Sequence, residues 1–479
     1  MGVSSSAARL YQCVGTSTVV MSWCAAASES VMAHSVDRPV SATFPQVRLT
    51  VATYPGRRAR TEGRTVNPLR NLQLTAGPVP LLLLLAGAAA LAGLISATRR
   101  SGSTRTVLAC IGAALTTTAL VDFLVEFVWR PFPDRLDPLV LLWIGLAVLA
   151  VLLAGVRVVR SPSWRSAGLS ATAVAVVALM GAGQVNSLYA AYPSVEDLLP
   201  VDYPATVPRP DPGTEAVRGV VVRATVPPAR SRFAARQALI YLPPAYLSGA
   251  RERLPVLMLL PGQPGSPRDW FSGGKLARTM DTYAARRGGV APVVVVPDAT
   301  GGQFENPLCA DSRSKRAATY LAEDVPAWVR QNLSVDPMPR AWAVGGYSYG
   351  GTCALQLATR FPEVFRTFLA LSPDAEPDLG GGREETIRDA FAGDRGAYAR
   401  ADPITQLSLR RFPDSAGVLV AGTDDAASTA AAKRVAVAAA GAGMTVRTRW
   451  IRGGHDFAVW SGGLTAELDW LGGRLGLPG

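Results

Sequence analysis

With 479 residues the chain has room for two or three domains, and at 49% hydrophobic, 18% charged and a mean hydropathy of +0.20 it is too apolar for a purely soluble protein. The net charge of +12 is almost all arginine, because lysine occurs only at Lys275, Lys315 and Lys433; the arginines are scattered or flank apolar runs, which argues against nucleic-acid binding. Five cysteines without a CxxC or Cys/His cluster exclude a zinc site, and nothing in the sequence calls for a metal or cofactor.

The first 65 residues show no periodicity, no core pattern and no clear signal peptide. They read as lying outside the natural protein, with Val66 a candidate start encoded by GTG. Residues 66–190 then hold four apolar runs long enough to span a bilayer: Pro78–Thr98, Thr106–Val128, Pro138–Val159 and Ala167–Ala190. The loop after the first run carries Arg99, Arg100 and Arg105, and the loop after the third carries Arg157, Arg160 and Arg165. Arg130 and Arg135, between the second and third, are offset by Asp134 and Asp137. The positive-inside rule puts the first and third loops in the cytoplasm and everything after residue 190 outside, in a multi-pass plasma-membrane protein. Arg57, Arg58, Arg60 and Arg64 stand on the wrong side for that topology, and a start at Val66 removes them. Asp122 and Glu126 share one face near the outer end of the second run, where they are expected to reach interfacial water.

Residues 191–216, rich in proline and acid, read as an extracytoplasmic linker. From 217 to 479 strand and helix patterns alternate. The expected strands are Gly219–Thr225, Ala238–Leu242, Pro255–Leu260, Pro292–Val296, Ala341–Val344, Thr367–Leu371, Gly417–Ala421 and Thr445–Trp450. Helices are expected at Leu276–Arg286, Leu321–Gln331, Thr352–Arg360 and Ala427–Ala440. That alternation predicts an α/β domain with a mostly parallel sheet, preceded by an all-α four-helix membrane region.

The chemistry concentrates at Gly346-Tyr347-Ser348-Tyr349-Gly350, set between a strand and a helix. A nucleophile elbow needs this context. Gly346 and Gly350 allow a turn too tight for side chains, and Ser348 then projects at a helix N-terminus, where backbone N–H groups favour a developing anion. A serine needs a base. The chain has two histidines, and with His34 in the N-terminal segment His455 is the candidate, in Gly453-Gly454-His455-Asp456-Phe457 after the last strand. The acid that orients it is expected between the two in chain order. Asp425 is preferred to Asp424, both leaving the strand Gly417–Ala421; Asp374 and Asp378 are weaker rivals, and Asp456 is expected to cap the last helix. Two oxyanion donors are expected: the Tyr349 N–H, and the Gln263 N–H with Gly262 as second choice, because Pro261 and Pro264 have no N–H to offer. Cys309, in a loop, and Cys353, on the elbow helix, are placed to pair outside the cell; the alternative is two separate buried thiols.

The elbow, the loop Leu259-Leu260-Pro261-Gly262-Gln263-Pro264-Gly265, the stretch Tyr320–Trp328 and the ending Gly453–Trp460 together resemble the putative-esterase family. That family takes in esterase D-like enzymes, enterochelin esterases and the mycobacterial antigen 85 mycolyltransferases. The resemblance covers about 217–479 and implies an open α/β-hydrolase sheet and acyl transfer by a Ser–acid–His triad, with the acid at Asp425 or its neighbour and the donors at Gln263 and Tyr349. Pro261 departs from the polar residue usual there, and Phe457 from a tryptophan often found two after the histidine, while Trp460 is kept. The four-span half is similar to that of multi-span actinobacterial relatives carrying the same domain.

The resulting expectation is a membrane-tethered extracytoplasmic serine esterase or acyltransferase acting on carboxylic esters, with lipid or cell-envelope esters among the candidates and the bilayer as its partner. The alternatives are mycolyltransferase-like transfer to a sugar, and a catalytically silent binding module on a hydrolase fold. The sequence fixes neither the acceptor nor the oligomeric state.

Overall fold

The four apolar runs form four helices, α1 (Val79–Ser101), α2 (Thr104–Phe123), α3 (Pro138–Arg160) and α4 (Trp164–Tyr189). With the π-helical turn Leu124–Trp129 that prolongs α2, each is long and apolar enough to cross a membrane. The computed structural model describes residues 69–132, 135–213, 215–250, 253–312 and 315–477. The expectations for the first 65 residues, including a start at Val66, concern residues outside these.

Each helix start has a local cause. Ser103, Asp137 and Ser163 accept backbone N–H groups of the first turns of α2, α3 and α4, and Pro138 opens α3 where a missing N–H costs nothing. The four pack around Leu94, Ala150, Leu153, Val177 and Met180, leaving Leu81, Leu85, Leu108, Leu115 and Leu169 on the outside. Residues 191–213 stay close to the rest of the chain. Pro193 O accepts the Leu74 N–H, Ser194 and Asp197 form a capping box on the one-turn helix Val195–Leu198, Asp197 pairs with Lys275, and the Asp211 N–H reaches Leu247 O.

The C-terminal part is an eight-stranded sheet: β1 (Val220–Ala224), β2 (Ala238–Leu242), β3 (Val256–Leu260), β4 (Val293–Val296), β5 (Trp342–Tyr347), β6 (Thr367–Leu371), β7 (Ala416–Gly422) and β8 (Thr445–Ile451), in the order β1-β2-β4-β3-β5-β6-β7-β8. β2 runs antiparallel to both β1 and β4, and the remaining pairs are parallel. This is the mostly parallel α/β sheet that the strand–helix alternation predicted. The central strands are apolar throughout because helices cover both faces. One core gathers around Trp342, Tyr320, Phe365 and Phe368, and the other around Trp270, Tyr283 and Leu471.

Two boundaries differ from the sequence expectation for physical reasons. β5 continues to Tyr347, because Gly345 and Gly346 stay in the ladder opposite Leu369 and Ala370 instead of turning. The helix expected at Leu321–Gln331 begins as a π turn, Tyr320–Asp324, before its α segment Val325–Asn332, where Pro326 has no N–H to continue a regular ladder.

Candidate functional site

The C-terminal ends of β3, β5, β7 and β8 converge on one edge of the sheet, the edge where open α/β folds bind ligands. Ser348 follows β5 and is the residue before α5 (Tyr349–Arg360). Its backbone is left-handed, φ 53° and ψ −124°, held by its N–H donating to Leu371 O at 2.8 Å. A non-glycine residue there is strained and persists only where its surroundings determine it. The two glycines explain how the turn closes. A Cβ on Gly346 would lie 2.3 Å from Gly350 O, and one on Gly350 would lie 2.3 Å from Leu260 O.

His455 sits in the loop after β8. Its Nδ1 is 2.7 Å from Asp425 Oδ2. Asp425 lies at the start of α6 (Ala426–Gly441) and accepts the Ser428 N–H at 3.0 Å through its other oxygen. Burial pushes the Asp425 carboxyl up, but the hydrogen bonds from His455 and from the Ser428 backbone outweigh it, so the group lies below the usual carboxylate range. Asp424 does not face the imidazole: its N–H donates to Gly453 O and its carboxylate accepts from the Thr423 hydroxyl. Asp456 caps α7 (Phe457–Arg474) through Val459, and the Asp374 N–H donates to the Thr352 hydroxyl.

An aromatic stack links the residue beside Ser348 to His455. Tyr347, beside Ser348, stacks on Trp460 at 4.3 Å, and Trp460 meets the His455 ring edge-on at 5.1 Å. Phe457 packs against both Tyr347 and Trp460. In the sequence Trp460 stands out only through the family resemblance; no pattern there announces that it bridges Tyr347 and His455.

The loop after β3 lies alongside. The backbone of Gly262 hydrogen-bonds the buried Tyr347 hydroxyl, which leaves Gln263 as the donor candidate in that loop. Tyr349 opens α5, so its N–H has no intrahelical acceptor. Its hydroxyl takes the Cys309 N–H at 2.9 Å and donates to Ala299 O at 3.2 Å. Cys309 is bonded to Cys353 of α5, with Cα atoms 5.3 Å apart, which ties the 299–309 loop to the elbow helix. The fully buried Asp298 accepts Arg236 through both oxygens at 2.8 and 3.0 Å, and the same guanidinium holds Gly265 O at 2.8 Å. This pair therefore fastens the 261–265 loop to the end of β4. The cleft beside Ser348 is bounded by Asn306, Thr352, Gln356, Asp374 and Asp378. Among the described residues no group of His, Cys, Asp and Glu side chains is placed to hold a metal ion.

The family described as "Putative esterase" matches residues 234–471. An uncharacterized protein of Corynebacterium glutamicum is 34% identical over 434 residues, covering 87% of this chain and 99% of its own length. An S-formylglutathione hydrolase of Paracoccus denitrificans is 26% identical over 188 residues, 36% of this chain and 64% of that protein. Among solved structures, an S-formylglutathione hydrolase from Agrobacterium tumefaciens aligns at 22% identity and a TM-score of 0.45, covering 55% of this chain and 98% of that one.

Proposed function

The chain belongs to the putative-esterase family of hydrolases, and on that premise we propose that it is a membrane-tethered serine esterase or acyltransferase whose catalytic domain faces away from the cytoplasm. The observation that carries the reading is the 2.7 Å pair of His455 and Asp425 beside an elbow serine with a left-handed backbone. In the proposed mechanism Ser348 Oγ bonds to the ester carbonyl carbon while His455 Nε2 takes the hydroxyl proton. The carbonyl electron pair moves onto oxygen, where the N–H groups of Gln263 and Tyr349 receive it. Collapse breaks the bond to the alcohol, which leaves with the proton from His455. Water or a second alcohol then repeats the sequence on the acyl-enzyme. Asp425 holds the imidazole in the required tautomer and offsets its charge.

The cleft beside Ser348 has Asn306, Thr352 and Asp374 on its walls next to Leu308 and Pro377, and those polar side chains support a hydroxyl-bearing acceptor such as a sugar as the second reading. Both readings share the acyl-enzyme. The outward orientation rests on the arginines of the first and third inter-helix loops, including Arg99, Arg100, Arg157 and Arg160 at the ends of α1 and α3.

One experiment tests nucleophile and topology together. Intact cells expressing wild type or Ser348→Ala are treated with a membrane-impermeant fluorophosphonate, and lysed cells with the same probe. Wild type is expected to label in both conditions and Ser348→Ala in neither. Equal labelling of the two proteins ends the catalytic assignment, whereas labelling of wild type only after lysis ends the outward orientation. Absence of labelling of wild type in both conditions leaves the catalytically silent module as the surviving reading.

A further inference from the structure

Membrane half and catalytic half meet close to the site, besides the packing of Ala190 at the end of α4 against the catalytic core. The π-helical turn Leu124–Trp129 ends at Arg130, which turns left-handed at φ 50°, and the chain then runs onto the C-terminal domain. Pro131 O accepts the Gln263 side-chain Nε2 at 2.7 Å, and the same Nε2 reaches Phe304 O at 3.1 Å. Arg130 pairs with Glu385. The Trp129 and Phe132 rings lie 5.8 and 6.3 Å from that of Phe304. The loop offering the oxyanion donor is thus bonded to the α2–α3 connection itself.

Two of these aromatics are exposed, while Phe132 is half-buried. Trp129 is 64% exposed and Phe304 49%, and the apolar exposure continues down the membrane helix through Phe127 and Phe123. In the other direction Asn306, two residues after Phe304, lines the cleft of Ser348. A single exposed aromatic needs no explanation, but two in contact, one at the end of a membrane helix and one two residues before a wall of the Ser348 cleft, do. The span Thr104–Trp129 has 26 residues, about 39 Å at ~1.5 Å per residue, against about 30 Å of hydrocarbon. A span of that length can carry its last turn into the headgroup layer, where tryptophan is at home.

We propose that Trp129, Phe132 and Phe304 form the acyl-chain site, and that the substrate is a long-chain lipid ester resident in the outer leaflet. The chain lies against these rings with its methylenes covered, and the ester is presented to the cleft of Ser348 from the membrane side. Pro131 and Gln263 couple that entry to the oxyanion loop. The proposal rests on Ser348 being the nucleophile.

The test uses the full chain in phospholipid vesicles and two esters of one fluorogenic alcohol, palmitoyl and acetyl. The readout is the ratio of their kcat/KM values, which a merely structural defect does not move. Trp129→Ala and Phe304→Ala are each expected to lower the palmitoyl-to-acetyl ratio tenfold or more, and Trp129→Phe to restore most of it. An unchanged ratio, or equal losses on both esters, overturns the acyl-chain site and leaves only an interfacial anchor. If that happens while Ser348→Ala is inactive on both esters, the nucleophile stands and this proposal alone falls. Turnover of both esters by Ser348→Ala overturns the nucleophile and this proposal with it.

Discussion

The carboxylate of Asp425 grips the His455 ring at 2.7 Å while its second oxygen caps the helix that begins one residue later. The cap fixes the rotamer, so the imidazole is aimed by a helix terminus and not by a free side chain. Asp424, its neighbour in sequence, is engaged with the Gly453 carbonyl and the Thr423 hydroxyl instead. Asp425→Asn should therefore lower kcat on a soluble acetyl ester by about 10³–10⁴, because the amide favours the wrong imidazole tautomer. Asp424→Asn should leave kcat at the wild-type level. A large loss in Asp424→Asn with little in Asp425→Asn would reverse the assignment.

Asp298 offers a test through pH. Burial pushes its carboxyl up, but the side chain and backbone N–H of Arg236, with the Thr300 N–H, prevail and hold it below the usual carboxylate range. A group whose folded value is depressed contributes stability that is complete above its unfolded value, about 3.9, and is lost as pH falls through the folded one. Asp298→Ala breaks a buried pair at a cost of about 3 kcal/mol at neutral pH, at the low end because water reaches part of Arg236. Thermal unfolding in detergent should show wild type well above the variant at pH 7 and the two converging below about pH 4. A gap that persists unchanged into acid would assign the effect to lost packing.

Local signals made much of this legible. The strand–glycine–serine–helix succession placed the elbow, and His455 stood out because the C-terminal domain has no other histidine. Adjacent aspartates at a turn could be ranked but not separated, since which of them faces the ring depends on the turn geometry and on the Ser428 N–H donating to Asp425. The Trp460 bridge, the Arg236–Asp298 clamp and the Gln263–Pro131 contact had no sequence signal. Each joins residues 62 to 132 positions apart, or stacks rings, at single points that leave no periodicity.

The disulfide gives a third prediction. Cys309 and Cys353 are 44 residues apart, and closing a loop of that size removes about 4 kcal/mol of unfolded-chain entropy, toward the upper part of the range usually measured. The double variant Cys309→Ala, Cys353→Ala should unfold at lower temperature, and reductant should lower the wild-type midpoint but not that of the variant. Mass spectrometry of the denatured protein should find a gain of two hydrogens on reduction. An identical response of both proteins to reductant would mean that the thiols are not paired.

The elbow glycines make the last prediction, through contact distances and not through charge. A methyl group on Gly346 would meet the backbone carbonyl of Gly350 at 2.3 Å, and neither atom belongs to a flexible side chain, so β5 and α5 must move apart. Moving them shifts Ser348, whose left-handed backbone exists only because the Leu371 carbonyl and the following helix hold it. Gly346→Ala should lose fluorophosphonate labelling and unfold at lower temperature. Gly473→Ala is the control: it lies in α7 with open space where its Cβ would go, and alanine there should raise stability by about 0.5–1 kcal/mol. Retained labelling and stability in Gly346→Ala would show that the turn has room to relax, and the strain argument for the nucleophile would fail.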